Sequence, residues 1–213
     1  MAPTRFPGKS TLGSIPVREA RFSTDPEGQR RYFHPGENKW LINVPAESFY
    51  VTSEDEVLCT TLGSCVSACV HDPTCAIGGL NHFLLPQQPV GMGPKQALRY
   101  GFHAMNQMLE ELERMGGRRA TMEAKIFGGG SSNLLGAGVG SSNVTFVLEY
   151  LRAEGMAVVA HDVGGGWARQ IRFHPTTGRA RVRRLEMSRR PEIVEEERRL
   201  LEHWALPEKE GRE

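Results

Sequence analysis

Between residues 39 and 86 the chain breaks into short apolar runs, WLINV, SFYVT, EVLCTTL, CVSACV and AIGGLNHFLL, each bounded by turn-forming residues. Runs of this length, rich in β-branched side chains and closed by Pro, Gly, Asp and Ser, read as successive strands. That commits this half of the chain to sheets, and the remainder has to supply whatever covers them.

The next segment, GPKQALRYGFHAMNQMLEELERMGG, repeats Leu98, Phe102, Met105, Leu109 and Leu112 at steps of three and four. With Pro94 near its start and Gly116 and Gly117 beyond its end, it predicts an amphipathic helix with that stripe turned to the core. ATMEAKIFGGG then reads as a strand running into a glycine-rich loop. A second helix is expected over residues 142–152, with Val144, Val147, Leu148 and Leu151 on one side and Gly155 as its stop. MAVVAHDVGG and RQIRFHPTTGRARVRRL add three strand candidates, the last two joined through HPTTG. Strands flanked by two helices, without regular βαβ alternation, predict an α+β domain.

A chain of 213 residues can bury one substantial core. Residues 1–37, rich in Pro, Gly and charge, read as an N-terminal arm, extended or poorly ordered. Residues 38–187 form the domain. Residues 188–213 alternate blocks of charge around Ile193, Val194, Leu200, Leu201 and Trp204, and read as a charged helix or tail that lies on the surface or docks a partner. With 26 basic and 25 acidic side chains, nothing draws the whole molecule to nucleic acid or an anionic membrane. The N-terminus lacks a signal-peptide core and no run approaches the ~18 apolar residues of a membrane span, so a cytoplasmic protein without membrane insertion is expected. A reducing compartment disfavours disulfides, and the four cysteines need another explanation or none.

All four lie within LCTTLGSCVSACVHDPTCAIGGLNHFLLP. Their spacing, at 59, 65, 69 and 75, lacks the C-x2-C pairs of zinc knuckles, so no metal is expected. The turn residues Asp72, Pro73 and Thr74 suggest a hairpin centred between Pro73 and Thr74. That register sets Cys65 directly opposite His82, with Cβ atoms about 4.5 to 5.5 Å apart. Ser67, Cys69 and Gly78 share their face, while Val66, Val70 and Ile77 share the other. An imidazole beside a thiol can take its proton and return it to a leaving amine, and the LGS turn before Cys65 can leave N–H groups free for an oxyanion. The hydroxyls of Thr60 and Thr61 lie just upstream to orient the ring. A buried cysteine and a satisfied core histidine in neighbouring strands is the competing reading of the same residues.

The blocks LGSCVSACVHDP, IGGLNHFLLP, EAKIFGGG, SSNVTFVLEYLRAEG and HDVGGGWARQIRFHPTTGRARVRRL resemble, in order and spacing, those of the chemoreceptor glutamine deamidases called CheD, over about residues 40–187. The resemblance implies packed mixed β-sheets flanked by helices and a bacterial cytoplasmic hydrolase. Such an enzyme converts selected glutamines of methyl-accepting chemotaxis receptors to glutamates and needs no cofactor. It also implies a CheC-like phosphatase as a further partner. The family's nucleophile falls on Cys65, its histidine on His82, and its third member on a threonine shortly before the cysteine. Cys59 occupies one position where that threonine occurs, which leaves Thr60 as the assignment and Thr61 as its competitor. Gly63, Ser64 and Asn81 are assigned to the substrate or oxyanion region, and Arg169, behind Trp167, to the place of a basic family segment. Cys59, Cys69 and Cys75 are read as small core residues. Because the substrate glutamine sits on a receptor helix, the resemblance implies an accessible cysteine and a shallow recognition surface.

Two other readings stay open. KIFGGGSSNLLGAGVGSSN is a glycine-rich loop between strand and helix, a setting that can cradle phosphate, though it lacks the G-K-[ST] lysine and Gly128, Gly129 and Gly130 equally suit a close backbone approach. A non-catalytic adaptor for chemotaxis proteins could use the same surface, but would have little physical reason to keep both Cys65 and His82.

Overall fold

The computed structural model describes residues 22–24, 30–85, 94–131, 138–186 and 190–205. Two sheets pack face to face. The first holds six strands in the order β1 (Phe22–Thr24), β2 (Arg30–His34), β3 (Lys39–Asn43), β5 (Val57–Leu62), β10 (Trp167–His174) and β11 (Arg179–Glu186). The second holds five, ordered β4 (Ser48–Thr52), β7 (Ile77–His82), β6 (Val66–Asp72), β8 (Glu123–Gly128) and β9 (Ala157–Val163). Neighbours are antiparallel except β3 with β5 and β8 with β9, which makes both sheets mixed. The segment read as an arm supplies β1 and β2, and β2 pairs along its length with β3.

Alternation along the strands builds two apolar layers. Ile42, Leu58, Leu62, Leu80, Leu84, Ile171 and Phe173 fill the space between the sheets. Val66, Ala68, Val70 and Phe83 point the other way, onto helices α1 (Pro94–Arg114) and α2 (Val139–Ala153). The expected stripe on α1 holds at Met105, Leu109 and Leu112, all fully buried, with Met108 beside them; the side chain of Leu98 lies outside the described residues. Phe102 departs from it. It is 46 % exposed and meets Phe146 and Tyr150 edge-on at centroid distances of 5.4 Å, so it joins α1 to α2 rather than facing a sheet. On α2, Val147 and Leu151 are buried, whereas Leu148 faces outward.

The hairpin of β6 and β7 keeps the expected faces but not the expected register. Cys69 pairs with Leu80 and Asp72 with Ile77, a shift of two residues from the two-residue turn. The cause is Asp72 itself. Its Oδ1 accepts the Thr74 N–H at 2.9 Å and the Thr74 hydroxyl at 2.7 Å, which widens the turn to Pro73, Thr74, Cys75 and Ala76, with Ala76 at φ +55°. Because side chains alternate with period two, a shift of two leaves every residue on its own face. Extended to the Val66–Phe83 bridge, the register sets Ser67 opposite His82, and Cys65 lies diagonal to that histidine instead of facing it.

Helix α3 (Pro191–Ala205) closes the described chain. It neither stands free nor lies on an indifferent surface. Ile193 and Val194 pack with Ala168 and Leu185, and Leu200 and Leu201 reach the layer between the sheets. That docking brings it over the corner between β5 and β6.

Candidate active site

Residues Gly63, Ser64 and Cys65 form the corner at which the chain leaves the first sheet after β5 and enters the second as β6. Each carbonyl at this corner is held from outside. Gly130 N–H donates to Gly63 O at 2.7 Å and Gly129 N–H to Cys65 O at 2.8 Å. Asn143 of α2 donates through Nδ2 to Ser64 O at 2.9 Å, while its Oδ1 accepts the Leu85 N–H at 2.8 Å. With the three carbonyls pinned one way, the three N–H groups turn together to the other side, as in a backbone anion nest.

This bracing is the work of the glycine-rich loop. Gly128 has φ +107°, and a Cβ there would stand 2.1 Å from Cys65 O; only glycine admits that approach. The amides of Gly129 and Gly130 are spent on the corner, and that of Ser131 on Gly165 O. They are therefore not free to cradle a phosphate. Residues 132–137 of the loop lie outside the described residues.

On the facing sheet His82 ends β7, buried, with its ring toward β5. Thr60 Oγ1 lies 2.8 Å from His82 Nδ1 and 2.8 Å from Val44 O. A carbonyl only accepts, so the threonine hydroxyl donates to Val44 O and must accept from Nδ1–H. That fixes the tautomer and leaves Nε2 with its lone pair; Nε2 is buried and has no hydrogen-bond partner among the described residues. Burial pushes His82 down to about 4, against the opposing charge of Glu197, so the ring is a neutral base at ordinary pH. Thr60 makes this contact, while Thr61, next along β5, alternates to the other side of the strand.

The nest is filled. Glu197, on α3 and 3 % exposed, accepts Gly63 N–H (3.1 Å) and Cys65 N–H (2.8 Å) on Oε1, and Ser64 N–H (2.9 Å) and the Ser64 hydroxyl (2.8 Å) on Oε2. Its carboxyl group rests against Gly63, where a Cβ would come within 2.7 Å of Oε2. Cys65 is fully buried, which reverses the expectation of an accessible thiol. Burial pushes the thiol well above its ordinary value, and the charge and hydrogen bond of Glu197 raise it further. In this state the thiol keeps its proton.

Gly63, Ser64 and Cys65 thus meet around Glu197, Thr60 holds His82, and the charge of Glu197 reaches that ring, while among the described residues no hydrogen bond joins the Cys65 thiol to His82 Nε2. Asn81 is not among them. It faces the α1 side, where Oδ1 accepts Ala68 N–H at 2.8 Å and Nδ2 reaches Met105 Sδ at 3.1 Å. There it bridges the stretch of hairpin between the Cys69–Leu80 and Val66–Phe83 pairs, where the direct ladder lapses. Arg169 is also spent on structure: buried in β10, it binds Asp162 at 2.9 Å and the carbonyls of Gly164 and Trp167. Of the remaining cysteines only Cys69 is a fully buried core residue. Cys59 is half-buried, and Cys75 is exposed in the widened turn. Burial pushes Cys69 up to about 12 and Cys59 up to about 11. Among the described residues no three His, Cys, Asp or Glu side chains converge as metal ligands. Sequence reading missed Val44, Asn143 and Glu197, whereas the close backbone approach expected at Gly128, Gly129 and Gly130 is found. An EAKIFGGG strand end was visible, but nothing local says what such glycines approach.

An oriented imidazole and a braced nest of amides beside a buried thiol, at the corner between two mixed sheets, mark an α+β protein with a candidate hydrolytic site. The chain belongs to the CheD family. The family model described as CheD chemotactic sensory transduction matches residues 84–184. Over 177 residues the chain is 41 % identical to a probable chemoreceptor glutamine deamidase CheD of Cupriavidus pinatubonensis, covering 81 % of this chain and 82 % of that protein. The similarly named protein of Bordetella parapertussis is 42 % identical over 164 residues, covering 76 % of this chain and 77 % of the relative. That of Halorhodospira halophila is 38 % identical over 179 residues, with coverage of 80 % and 82 %. No helix among the described residues is long and apolar enough to cross a membrane.

Proposed function

We propose that this protein is a chemoreceptor glutamine deamidase, hydrolysing the side-chain amides of particular glutamines on methyl-accepting chemotaxis receptors to glutamates and ammonia. The names of its relatives support the reaction and the substrate class. The observation that carries the residue assignment is the Glu197 carboxylate held by three amides beside the Cys65 thiol. A site that binds a glutamate side chain in this way suits the product of glutamine hydrolysis.

In the proposed reaction His82 Nε2 takes the Cys65 proton and the thiolate attacks the carboxamide carbon. A C–S bond forms and the carbonyl oxygen becomes an oxyanion, received by the N–H groups of Gly63 and Cys65. Each such donor contributes about 3 kcal/mol in comparable sites. The C–N bond then breaks as His82 returns the proton to departing ammonia, leaving a thioester. Water gives a proton to His82 and its hydroxide adds to the thioester carbon; collapse restores the thiol and frees the glutamate. Thr60 keeps the ring in the tautomer that both half-reactions need. No metal or organic cofactor takes part in this scheme.

A cytoplasmic location and pairing with a CheC-like phosphatase belong to the same proposal, the four unpaired cysteines being in keeping with a reducing compartment. The test is peptide mass spectrometry of a cytoplasmic receptor fragment incubated with wild type, Cys65→Ala and His82→Ala chains. Site-limited one-dalton gains with wild type alone are the expected result. No gain on receptors of the same organism with any chain, including one whose Glu197 has been replaced by alanine, would favour the adaptor reading.

A further inference from the structure

Helix α3 places one carboxylate, and only through one residue, in the amide nest of the site. Its position follows from two sets of contacts that are independent of each other. The nest takes Glu197 through all three corner amides and the Ser64 hydroxyl, and the missing side chain of Gly63 leaves the space in which the carboxyl group lies. Separately, Ile193 and Val194, one turn before Glu197, pack with Ala168 and Leu185, and Leu200 and Leu201, one turn after it, reach the layer between the sheets. Apolar residues at four and three positions before, and three and four after, lie on one helical face with the central residue. The result is a helix that lays an apolar stripe on the protein and inserts a glutamate side chain from the middle of that stripe.

We propose that α3 is an internal product mimic: it occupies the seat of the substrate helix, with Glu197 where the newly formed glutamate of a substrate would be. This rests on the deamidase reading and extends it in two respects. The substrate glutamine is presented from an intact α-helix, with apolar residues one turn to either side. The resting enzyme is closed, because the Glu197 carboxylate fills the amide nest beside the buried Cys65, so a substrate helix gains the site only by displacing α3. The segment matched by the family model ends at residue 184, before this helix begins.

The mimic can be turned into a substrate. In a full-length Glu197→Gln chain, an amide replaces the carboxylate beside Cys65, and the same chemistry applied in cis consumes one water, releases one ammonia and regenerates glutamate. Peptide mass spectrometry of residues 190–205 should show the introduced glutamine gaining one dalton in the chain with Cys65 intact, and none in a Glu197→Gln, Cys65→Ala chain. Persistence of the introduced amide in both chains would overturn the assignment of Glu197 to the product position.

The receptor fragment separates that failure from failure of the deamidase reading. Receptor glutamines converted while the amide on α3 persists would sink the mimic and spare the enzyme; no conversion of either would remove both. Closure has its own measurement. In full-length Glu197→Ala, and in Ile193→Lys, which loosens the docking without touching the nest, KM for the receptor fragment should fall by roughly tenfold as the closed population is relieved. A KM unchanged from wild type in both variants would show that α3 does not compete with substrate.

Discussion

The Thr60 hydroxyl lies 2.8 Å from His82 Nδ1 and 2.8 Å from the Val44 carbonyl, so one threonine ties the imidazole of one sheet to the backbone of the other. The proton order in this chain is dictated by the carbonyl at its end. We predict that Thr60→Val lowers kcat roughly tenfold, the rate equivalent of a hydrogen bond worth about 1 to 1.5 kcal/mol. Thr60→Ser should keep most of the activity, and Thr61→Val nearly all of it. Steady-state assays on a receptor fragment decide this; equal losses at Thr60 and Thr61 would remove the orienting role.

His82 also links stability to pH. Burial lowers it to about 4 in the folded protein, from about 6.5 in an unfolded chain. Between those values the unfolded state binds the extra proton, so stability is fully present above about 6.5 and is lost as pH falls toward 4. The loss attributable to this group is up to about 3 kcal/mol. Urea titrations of wild type and His82→Gln across pH 4.5 to 7.5 should show a shallower slope in the variant. Parallel slopes would mean that the ring is not held neutral.

Gly128 is where the backbone approaches Cys65 too closely for any side chain. We predict that Gly128→Ala destabilises the fold by about 2 kcal/mol or more, since φ +107° and a clash with Cys65 O must both be relieved. Thermal unfolding would register this as a lower Tm. An unchanged Tm would contradict the described corner.

Asn143 is buried between Ser64 O and Leu85 N–H. Replacing it by alanine leaves two backbone groups unpaired, at a cost of about 1 to 3 kcal/mol each before water enters. The nest loses one of its three braces, so kcat should fall while the substrate KM changes little. A rise in KM alone would place Asn143 in helix binding instead.

Asp72 is a buried carboxylate that organises the hairpin turn. Burial works against its ionisation, but the Arg118 N–H and the donors of Thr74 and Thr121 hold it well below the usual carboxylate range. Asp72→Ala is predicted to cost about 2 to 3 kcal/mol by loss of these charge-assisted bonds, measured by denaturant unfolding at neutral pH. A variant as stable as wild type would show that the turn does not rely on them.

Much of the site was legible because it is local. The alternation of CVSACV and GGLNHF set Cys65 and His82 on one face, and it survived a register error because the widened turn shifted the ladder by two residues, an even number. The same local view misjudged exposure. Cys75, inside an apolar-looking stretch, is exposed because it lies in that turn, while Cys65 is buried at a corner whose amides are taken by Glu197, more than a hundred residues later in the chain.

By itself the sequence determined the elements and their faces: period-two runs become strands, the three-and-four stripe becomes α1, and Cys65, His82 and Thr60 are named by chemistry and family resemblance. Tertiary structure alone decided what meets them. Val44, Gly128 to Gly130, Asn143 and Glu197 converge on one corner from separate elements and loops, and no short-range pattern encodes that convergence. Local sterics and alternation act between residues a few positions apart, whereas the partners of a pinned carbonyl or a nest of amides are chosen by how the sheets and helices close over one another.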